Sequence, residues 1–259
     1  MNTATIFARN RAYWSRRAAG YSQVNRRELN GARQRRAWQD ELCGTLLSRF
    51  RGRDPQSVRV LDCGTGPGFF AALLAEAGFR VTAIDLTPAM LDEAKKNAGD
   101  MADSIRFMEM NAEALKFEDA SFDVVISRNL TWNLPRPDAA YAEWARVLRP
   151  GGLLLNFDAN WYAYLFDEKA QAAYDQDRIN SAEQGVWDQN VGENFDVMED
   201  IARRVPLSSI RRPAWDLERL QRLGLQPWAD EQIWWRVWSE EEKLNFSSTP
   251  LFLVRAIKD

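Results

Sequence analysis

The feature that most constrains the fold is an alternation of short apolar runs with helix-like segments. Five such runs cover residues 58–62, 81–85, 105–110, 122–127 and 153–158. Strands that alternate with helices at this spacing are typical of βαβ units, which build a parallel sheet with helices on both faces. Two later runs, at 225–233 and 251–257, predict two more strands. The expected fold is therefore an α/β protein with a mostly parallel seven-stranded sheet.

The chain divides into three parts by pattern. Residues 1–50 predict a helical N-terminal segment, and the strand–helix rhythm occupies residues 51–158 and 214–259. Between them, residues 159–213 have no strand pattern and predict a helical insertion after the fifth strand. In open parallel sheets, ligands bind beyond the carboxyl ends of the strands. The insertion begins at that edge, so we expect it to form a lid over a binding site.

Three helices are expected in the second half of the chain. The patterns predict one long helix over residues 160–185 and another over 193–205. A third helix, over 217–223, has Asp216 as a candidate N-terminal cap and Gly224 directly after it.

The composition excludes several kinds of chemistry. The chain has no histidine, which excludes a histidine general base and a histidine-ligated zinc site. Its two cysteines, Cys43 and Cys63, are too few for a disulfide framework or a cysteine metal cluster, so we expect no metal. No apolar run approaches the roughly 18 residues that span a bilayer, and Arg9 and Arg11 interrupt any secretory signal. We therefore expect a cytoplasmic protein without a membrane partner.

Positive charge is concentrated near the N-terminus. Residues 9–36 contain nine arginines and a single acidic residue, Glu28, although the whole chain has a net charge of −3. One interpretation is an anionic partner such as nucleic acid. The other is a solvated helical face whose arginines pair with acidic residues elsewhere. The sequence pI of about 5.3 favours the second interpretation, and the oligomeric state stays open.

A glycine-rich turn follows the first expected strand. Residues 60–68 read VLDCGTGPG, and glycines let the backbone adopt positive φ angles and approach a ligand closely. Such a loop alone is compatible with NAD, with FAD or with no ligand. However, Phe69 stands where a dinucleotide fingerprint has its last glycine. Asp62 would repel a pyrophosphate but suits an ammonium group, and Asp85, at the end of the next strand, suits ribose hydroxyls.

Three further segments extend this pattern. They are NAE at 111–113, FDVV at 122–125 and RVLRPGG at 146–152. With the glycine-rich turn, they make the chain resemble the class I S-adenosylmethionine-dependent methyltransferases, and specifically the group that acts on small molecules. The resemblance covers residues 10–158 and, more loosely, the last two strands. It implies a Rossmann-like fold, S-adenosyl-L-methionine as the cofactor and methyl transfer as the reaction.

The resemblance also implies roles for residues on the first two strands. Gly64, Gly66 and Gly68 would pack against the methionyl part of the cofactor, and Asp62 would lie near its ammonium group. Asp85 would bind the ribose hydroxyls.

Further implied contacts lie along the rest of the chain. Leu86 would flank the adenine, and Asn111 and Ala112 would meet its edge. Family members usually have Asp where Asn111 stands, and Asn keeps an acceptor oxygen for the adenine amino group. Ser127 and Arg128 would line the wall between cofactor and acceptor. An N-terminal aromatic element that closes over the cofactor in many relatives would comprise Tyr13, Trp14 and Tyr21.

Methyl transfer from a sulfonium mainly requires an aligned acceptor and the exclusion of water. We expect residues 129–133 and the insertion to form the acceptor pocket, with Asn129, Trp132 and Asp158 as the candidate catalytic residues. Asp158, at the end of the fifth strand, is the first choice for a carboxylate that faces the acceptor; the alternative is a structural hydrogen bond. The many aromatic residues suit a cage for a cationic amine, a slot for a flat ring, or simply a core.

Two other functions remain open at this point. A nucleic-acid or protein methyltransferase would use the arginine-rich N-terminus, but the Asn/Asp-Pro-Pro-aromatic tetrapeptide of amino-directed DNA methyltransferases is absent after the fourth strand, where the sequence reads SRNL. A protein that binds the cofactor without catalysis would have the same loop. The identity of the methyl acceptor is not encoded in any of these patterns.

Overall fold

A computed structural model describes residues 3–187 and 195–259. Seven strands form one sheet in the order β3-β2-β1-β4-β5-β7-β6. All neighbouring strands are parallel except β7, which runs antiparallel to β5 and β6. The strands are β1 (Arg59–Cys63), β2 (Arg80–Asp85), β3 (Arg106–Glu109), β4 (Phe122–Arg128), β5 (Leu148–Asp158), β6 (Leu225–Asp230) and β7 (Phe252–Lys258). The prediction of a mostly parallel seven-stranded sheet is confirmed.

Helices cover both faces of this sheet. They are α1 (Thr3–Asn30), α2 (Ala32–Arg49), α3 (Phe69–Glu76), α4 (Pro88–Ala98), α5 (Pro137–Val147), α6 (Glu168–Glu183), α7 (Phe195–Ala202), α8 (Ala214–Arg222), α9 (Ile233–Val237) and α10 (Glu240–Asn245). The expected helical N-terminal segment consists of two helices, because the helical conformation is interrupted at Gly31. None of the described helices has the length and apolarity needed to cross a membrane.

Successive residues of a strand point to opposite faces of the sheet, and each face has its own apolar core. On one face, Trp38 of α2 is fully buried and contacts Phe70 and Phe157 at ring-centroid distances of 5.2 and 5.3 Å. On the other face, Tyr141 and Trp144 of α5 are fully buried and 5.4 Å apart. Such ring pairs contribute about 0.5–1.5 kcal/mol beyond the area they bury. The helix α2 is therefore an integral layer of the fold.

The prediction of one long helix over residues 160–185 is wrong, because the first residues of this range adopt another conformation. Asn160 donates its amide to the backbone carbonyl of Arg212 and accepts from the Arg212 backbone N–H, each at 3.1 Å. After a short 3-10 turn over Ala163–Leu165, α6 begins at Glu168. Its N-terminal cap is Asp167, whose side chain accepts from the backbone of Ala170. The first part of the insertion is therefore tied to a segment 52 residues later.

Three other boundaries differ from the expectations. The helix expected over 193–205 begins outside the described residues, and its described part is α7. Asp216 is not a cap: it lies inside α8, is fully buried, and binds Arg212. The strand expected over 225–233 ends at Asp230, and α9 follows from Ile233.

The N-terminal arginines are engaged within the chain. Salt bridges join Arg9 to Asp200, Arg11 to Glu109, Arg26 to Glu93, Arg35 to Glu76 and Arg36 to Asp40. Most of these partners lie on other elements, so the charge of α1 and α2 is met by the sheet domain and the insertion. This arrangement favours the interpretation in which the arginines pair with acidic residues elsewhere.

Candidate functional site

A cavity of about 110 Å³ opens where β1 and β2 end. We call it the glycine-loop cavity. Its sheet side is lined by Gly64, Gly66, Asp85, Leu86, Thr87, Met90, Met110, Asn111, Ala112 and Arg128. Its other side is formed by the N-terminal helix and the loop after β4, through Phe7, Asn10, Arg11, Trp14, Tyr21, Asn129, Leu130, Asn133, Leu134 and Pro135. Residues far apart in the sequence therefore meet at the carboxyl edge of the sheet, as the parallel topology requires.

Asp85 holds the glycine loop in place. Its Oδ2 accepts a hydrogen bond from the backbone N–H of Gly66 at 3.0 Å, and its Oδ1 accepts from that of Thr87 at 2.8 Å. Burial raises the pKa of Asp85 to about 6, against the opposing effect of these backbone donors. A carboxylate offers about four lone-pair sites, so acceptor capacity remains for a ligand.

Gly64 and Gly66 have positive φ angles of 65° and 52°. A Cβ on Gly64 would lie 2.7 Å from a Leu130 methyl carbon, so this position is closed to larger residues by the loop after β4. At Gly66 the nearest side-chain atom to such a Cβ belongs to Tyr21, at 3.8 Å. The loop thus presents bare main chain between the sheet and the N-terminal helix.

Asn111 shapes the third wall of the cavity. Its Oδ1 accepts from the backbone N–H of Glu113 at 2.9 Å, which closes a turn directly after β3. Glu113 in turn accepts from the backbone and side chain of Arg136, at 2.8 and 2.9 Å. The turn sets Asn111 and Ala112 against the cavity. The acceptor oxygen expected to face an adenine amino group already receives a hydrogen bond from the backbone.

Asp62 and Ser127 lie behind the cavity wall, which is at odds with the direct contacts expected of them. Asp62 is 2% exposed and accepts from the Thr65 hydroxyl at 2.6 Å. Burial, with a contribution from Asp85, raises its pKa to about 7. Ser127 is fully buried and donates to Asn156 Oδ1 at 2.7 Å. Both side chains point into the sheet domain, where their partners are residues of the chain itself.

Gly68, expected to pack against the methionyl part of the cofactor, instead contacts a neighbouring helix. With φ at +85° it precedes α3, and a Cβ there would lie 2.9 Å from the Cβ and 3.0 Å from the Cα of Ala94 on α4. Gly68 is absent from the cavity lining. Its missing side chain allows two helices to approach each other.

We expect Gly68→Ala to lower the free energy of unfolding by about 1–3 kcal/mol, because the added methyl group overpacks the contact with Ala94. The matched control is Gly52→Ala. Gly52 has nearly the same φ, +83°, but among the described residues beyond its chain neighbours no atom lies within 4 Å of the added carbon. Urea denaturation of both variants separates the steric cost from the backbone cost. Equal losses of stability in the two would show that the α3–α4 contact is not limiting.

A second cavity, of about 160 Å³, adjoins the first. We call it the aromatic cavity, because ten of the residues that line it carry rings: Tyr13, Trp14, Tyr21, Trp132, Trp161, Tyr162, Tyr164, Tyr174, Trp238 and Phe246. They come from the N-terminal helix, the loop after β4, the insertion and the end of the chain. Its charged lining residues are Arg17, Glu28, Arg128 and Glu242.

Several of these rings pack directly against each other. The rings of Tyr164 and Tyr174 stack with centroids 4.2 Å apart, and those of Trp132 and Tyr162 are 4.9 Å apart. Tyr13 lines this cavity and not the glycine-loop cavity. Tyr13, expected to contact the cofactor, thus lies on the side of the aromatic cavity, where it packs in one apolar cluster with Tyr162 and Tyr164 of the insertion.

Four residues line both cavities: Trp14, Tyr21, Arg128 and Asn129. We call them the neck. Arg128 donates to both oxygens of Glu28, at 3.0 and 2.5 Å, and its guanidinium also lies 4.6 Å from the ring centroid of Trp38. Asn129 has a φ of +54°, and its carbonyl accepts from the indole of Trp132 at 3.0 Å. The two cavities therefore meet at side chains that are held by contacts within the chain.

Asp158, expected to be a carboxylate that faces the acceptor, lines neither of the two cavities. It is fully buried, and its Oδ2 accepts from the backbone of Trp132 at 3.0 Å and from Arg212 Nη1 at 2.7 Å. The same oxygen also accepts from the hydroxyl of Thr131. Asp158 fixes the loop that carries Asn129 and Trp132, which is the structural alternative. Arg212, which no sequence pattern marked, is the centre of this network.

Residues 61–156 match the family described as a methyltransferase domain. Among curated proteins, the ubiquinone/menaquinone biosynthesis C-methyltransferase of Rhodopseudomonas palustris is 36% identical over 143 residues, or 53% of this chain and 54% of that protein. An uncharacterized protein of Mycobacterium tuberculosis is 38% identical over 111 residues, or 43% of this chain and 40% of that protein. The match thus spans about half of each relative, or less.

Solved structures share the fold over more of the chain. A chain from a complex between the Haloferax volcanii Trm112 methyltransferase activator and a methyltransferase has a TM-score of 0.56 and 18% identity, covering 95% of this chain and 96% of that one. The geranyl diphosphate C-methyltransferase of Streptomyces coelicolor has a TM-score of 0.55 and 15% identity, covering 85% and 77%. At these identities the likeness concerns the fold.

Proposed function

This chain belongs to the class I S-adenosylmethionine-dependent methyltransferases, and from this premise we propose that it transfers a methyl group from S-adenosylmethionine to a small molecule. The observation that carries the proposal is the pair of adjoining cavities, one beside the glycine loop and the other lined by aromatic rings, which share the four residues of the neck. A group transferred between two bound molecules needs such a connection.

The cofactor fits the hydrogen-bonding groups of the glycine-loop cavity. Asp85 would accept from the ribose hydroxyls, and Leu86, Asn111 and Ala112 would surround the adenine. In addition, Asn10 and Asn133 line this cavity, and their side-chain oxygens are buried without a hydrogen-bond partner among the described residues. Buried acceptors normally have donors. Ribose hydroxyls and amino groups of the cofactor are donors that would satisfy them.

The aromatic cavity would hold the acceptor. When bound, the cofactor supplies an electrophilic methyl group on a positively charged sulfur, so the protein's task is alignment and exclusion of water. Asn129 and Trp132 would orient the acceptor at the neck, where the hydrogen bond between them fixes their relative positions. The N-terminal helix would close over the cofactor, and the insertion over residues 159–213 would act as the lid of the acceptor site.

The relatives support a small acceptor. The Rhodopseudomonas palustris relative is named as a C-methyltransferase of ubiquinone and menaquinone biosynthesis, and the Streptomyces coelicolor structure contains geranyl diphosphate and S-adenosyl-L-homocysteine. A direct test is to incubate the protein with methyl-labelled S-adenosylmethionine and a cell extract that has been separated by size. Label in the low-molecular-weight fraction is the expected result. Label found only in protein or RNA would refute the small-molecule acceptor.

The cofactor site is tested by Asp85→Ala. We expect this change to weaken binding of S-adenosylhomocysteine by about 1–3 kcal/mol, because ribose hydroxyls would lose their acceptor. Isothermal titration calorimetry measures the difference, with Asp92→Ala, an exposed acid on α4, as the control. Unchanged affinity in Asp85→Ala would contradict the placement of the ribose.

A further inference from the structure

Glu242 is a carboxylate of the aromatic cavity that the sequence patterns did not mark. It is 8% exposed and lies on α10. Its Oε2 accepts from the backbone and hydroxyl of Ser239, at 2.8 and 3.0 Å, and from the amide of Gln34. Oε1 accepts no hydrogen bond within the described residues. One oxygen is therefore held by the chain, and the other is available to a ligand in the cavity.

Arg128 acts electrostatically on Glu242 but does not form a salt bridge with it. Glu28 is already matched by Arg128, which donates to both of its oxygens. Glu242 forms no salt bridge with any residue in the described parts of the chain. Burial, with Glu28 adding to it, raises the pKa of Glu242 to about 7. The fourth charged residue of the lining is Arg17, whose positive charge acts to lower the pKa values of Tyr21 and Tyr162.

Aromatic rings surround this end of the cavity. Phe246 lies one turn after Glu242 on the chain, with its ring centroid 5.5 Å from that of Trp161 and 5.9 Å from that of Trp238. All three rings line the cavity. Ring faces carry partial negative charge and attract cations, most strongly when water is excluded. A buried carboxylate that has no salt bridge within the described residues, and that lines the same cavity as three such rings, is complementary to an ammonium group.

We propose that the aromatic cavity recognises its small-molecule ligand through a cationic amino group, held by Glu242 and the rings of Trp161, Trp238 and Phe246. This inference rests on the proposed function, in which the same cavity holds the methyl acceptor. It narrows the acceptor to amine-bearing molecules. A flat uncharged ring compound would use the aromatic walls but leave Glu242 unpaired, which costs free energy when a carboxylate is buried.

The test uses two probes of similar shape, phenethylamine, which is a cation, and 2-phenylethanol, which is uncharged. Binding is measured by quenching of tryptophan fluorescence at pH 8, where Glu242 is ionised, with and without S-adenosylhomocysteine. We expect phenethylamine to bind at least tenfold more tightly than the alcohol. Equal affinities, or no binding of the amine, would overturn the proposal.

Two variants test whether Glu242 and Phe246 cause the preference for the amine over the alcohol. Glu242→Gln keeps an acceptor for Ser239 and removes the charge, so it should lose at least tenfold in affinity for the amine and little for the alcohol. Phe246→Leu keeps the apolar bulk and removes a ring, with an expected loss of at least threefold for the amine. The control Glu241→Gln removes the same charge from the exposed neighbouring position and should change neither. A Glu242→Gln protein that retains the amine preference would contradict the role of Glu242.

Binding of S-adenosylhomocysteine, titrated separately, keeps the two hypotheses apart. If it binds but the amine preference is absent, only the amine inference fails. If it does not bind, the proposed methyl transfer fails, while the amine preference of the cavity can still be measured.

Discussion

Replacement of Arg212 by methionine is expected to lower the free energy of unfolding by about 3–5 kcal/mol, the range for removing one partner of a buried ion pair. Arg212 lies between Asp158 and Asp216, with nitrogen–oxygen distances of 2.7 and 2.6 Å, and all three side chains are fully buried. Without the guanidinium, two carboxylates would remain in the interior without a cation. The loss arises from these stranded charges and from removal of the hydrogen bond that Arg212 donates to the hydroxyl of Thr131.

The matched control for this prediction is Arg222→Met, on α8 near the buried network. Arg222 pairs with Glu218, but both side chains are about 60% exposed, and such surface pairs contribute about 0–1 kcal/mol. Urea denaturation gives both values. The triple variant Arg212→Met, Asp158→Asn, Asp216→Asn should recover much of the loss, because it removes the charges together. If Arg212→Met costs no more than Arg222→Met, the buried network is not a source of stability.

The same network links the stability of the fold to the site. Asp158 holds the backbone of Trp132 and the hydroxyl of Thr131, and Trp132 in turn donates to the carbonyl of Asn129 in the neck. The loop after β4 is therefore positioned by Arg212, which lies more than 50 residues after Asp158 in the sequence. We infer that Asp158 contributes to function by position and not by contact with the acceptor.

The sheet and the glycine loop could be predicted from the sequence because their causes are local. Alternating apolar runs set the strands, and parallel topology then brings Gly64, Gly66 and Asp85 to one edge. The main-chain positions at the ends of strands follow from topology alone. Accordingly, apart from Tyr21 on α1, the residues placed correctly in the cavity wall are those at strand ends or in the turns directly after them, such as Leu86 and Asn111.

The direction of individual side chains could not be predicted in the same way. Asp158 and Ser127 also end strands, but each is turned inward by a partner that sequence spacing does not reveal, Arg212 for the first and Asn156 for the second. Glu242 stands in a capping-box pattern with Ser239, and this local pattern indicates a helix start but no cavity. Its role depends on the packing of α10 against other parts of the chain.

The affinity for the cofactor should fall by up to about thirtyfold between pH 7 and pH 4.5, because an ionised Asp85 is a stronger acceptor for the ribose hydroxyls than the protonated acid. Burial raises the pKa of Asp85 to about 6, so the favourable contact is fully present above that pH and is lost as the pH falls through it. The α-amino and α-carboxyl groups of model peptides have pKa values of about 7.7–8.0 and 3.3–3.7, which lie outside this window. Calorimetric titrations across the window measure the slope.

The ligand-free protein should respond to pH in the opposite direction. Since the pKa of Asp85 is higher in the folded protein than in the unfolded chain, the folded state takes up the proton first, and this group adds stability as the pH falls from about 6 to 4. Protonation of Asp85 therefore does not promote unfolding, and a loss of affinity for the cofactor in the acid range would need another explanation than unfolding caused by Asp85. Asp85→Asn should bind more weakly at pH 7 and show a much flatter pH profile, whereas Asp62→Asn, which alters the buried acid behind the wall, should keep the slope. A steep profile retained in Asp85→Asn would assign the titration to another group and remove the ribose contact from the mechanism.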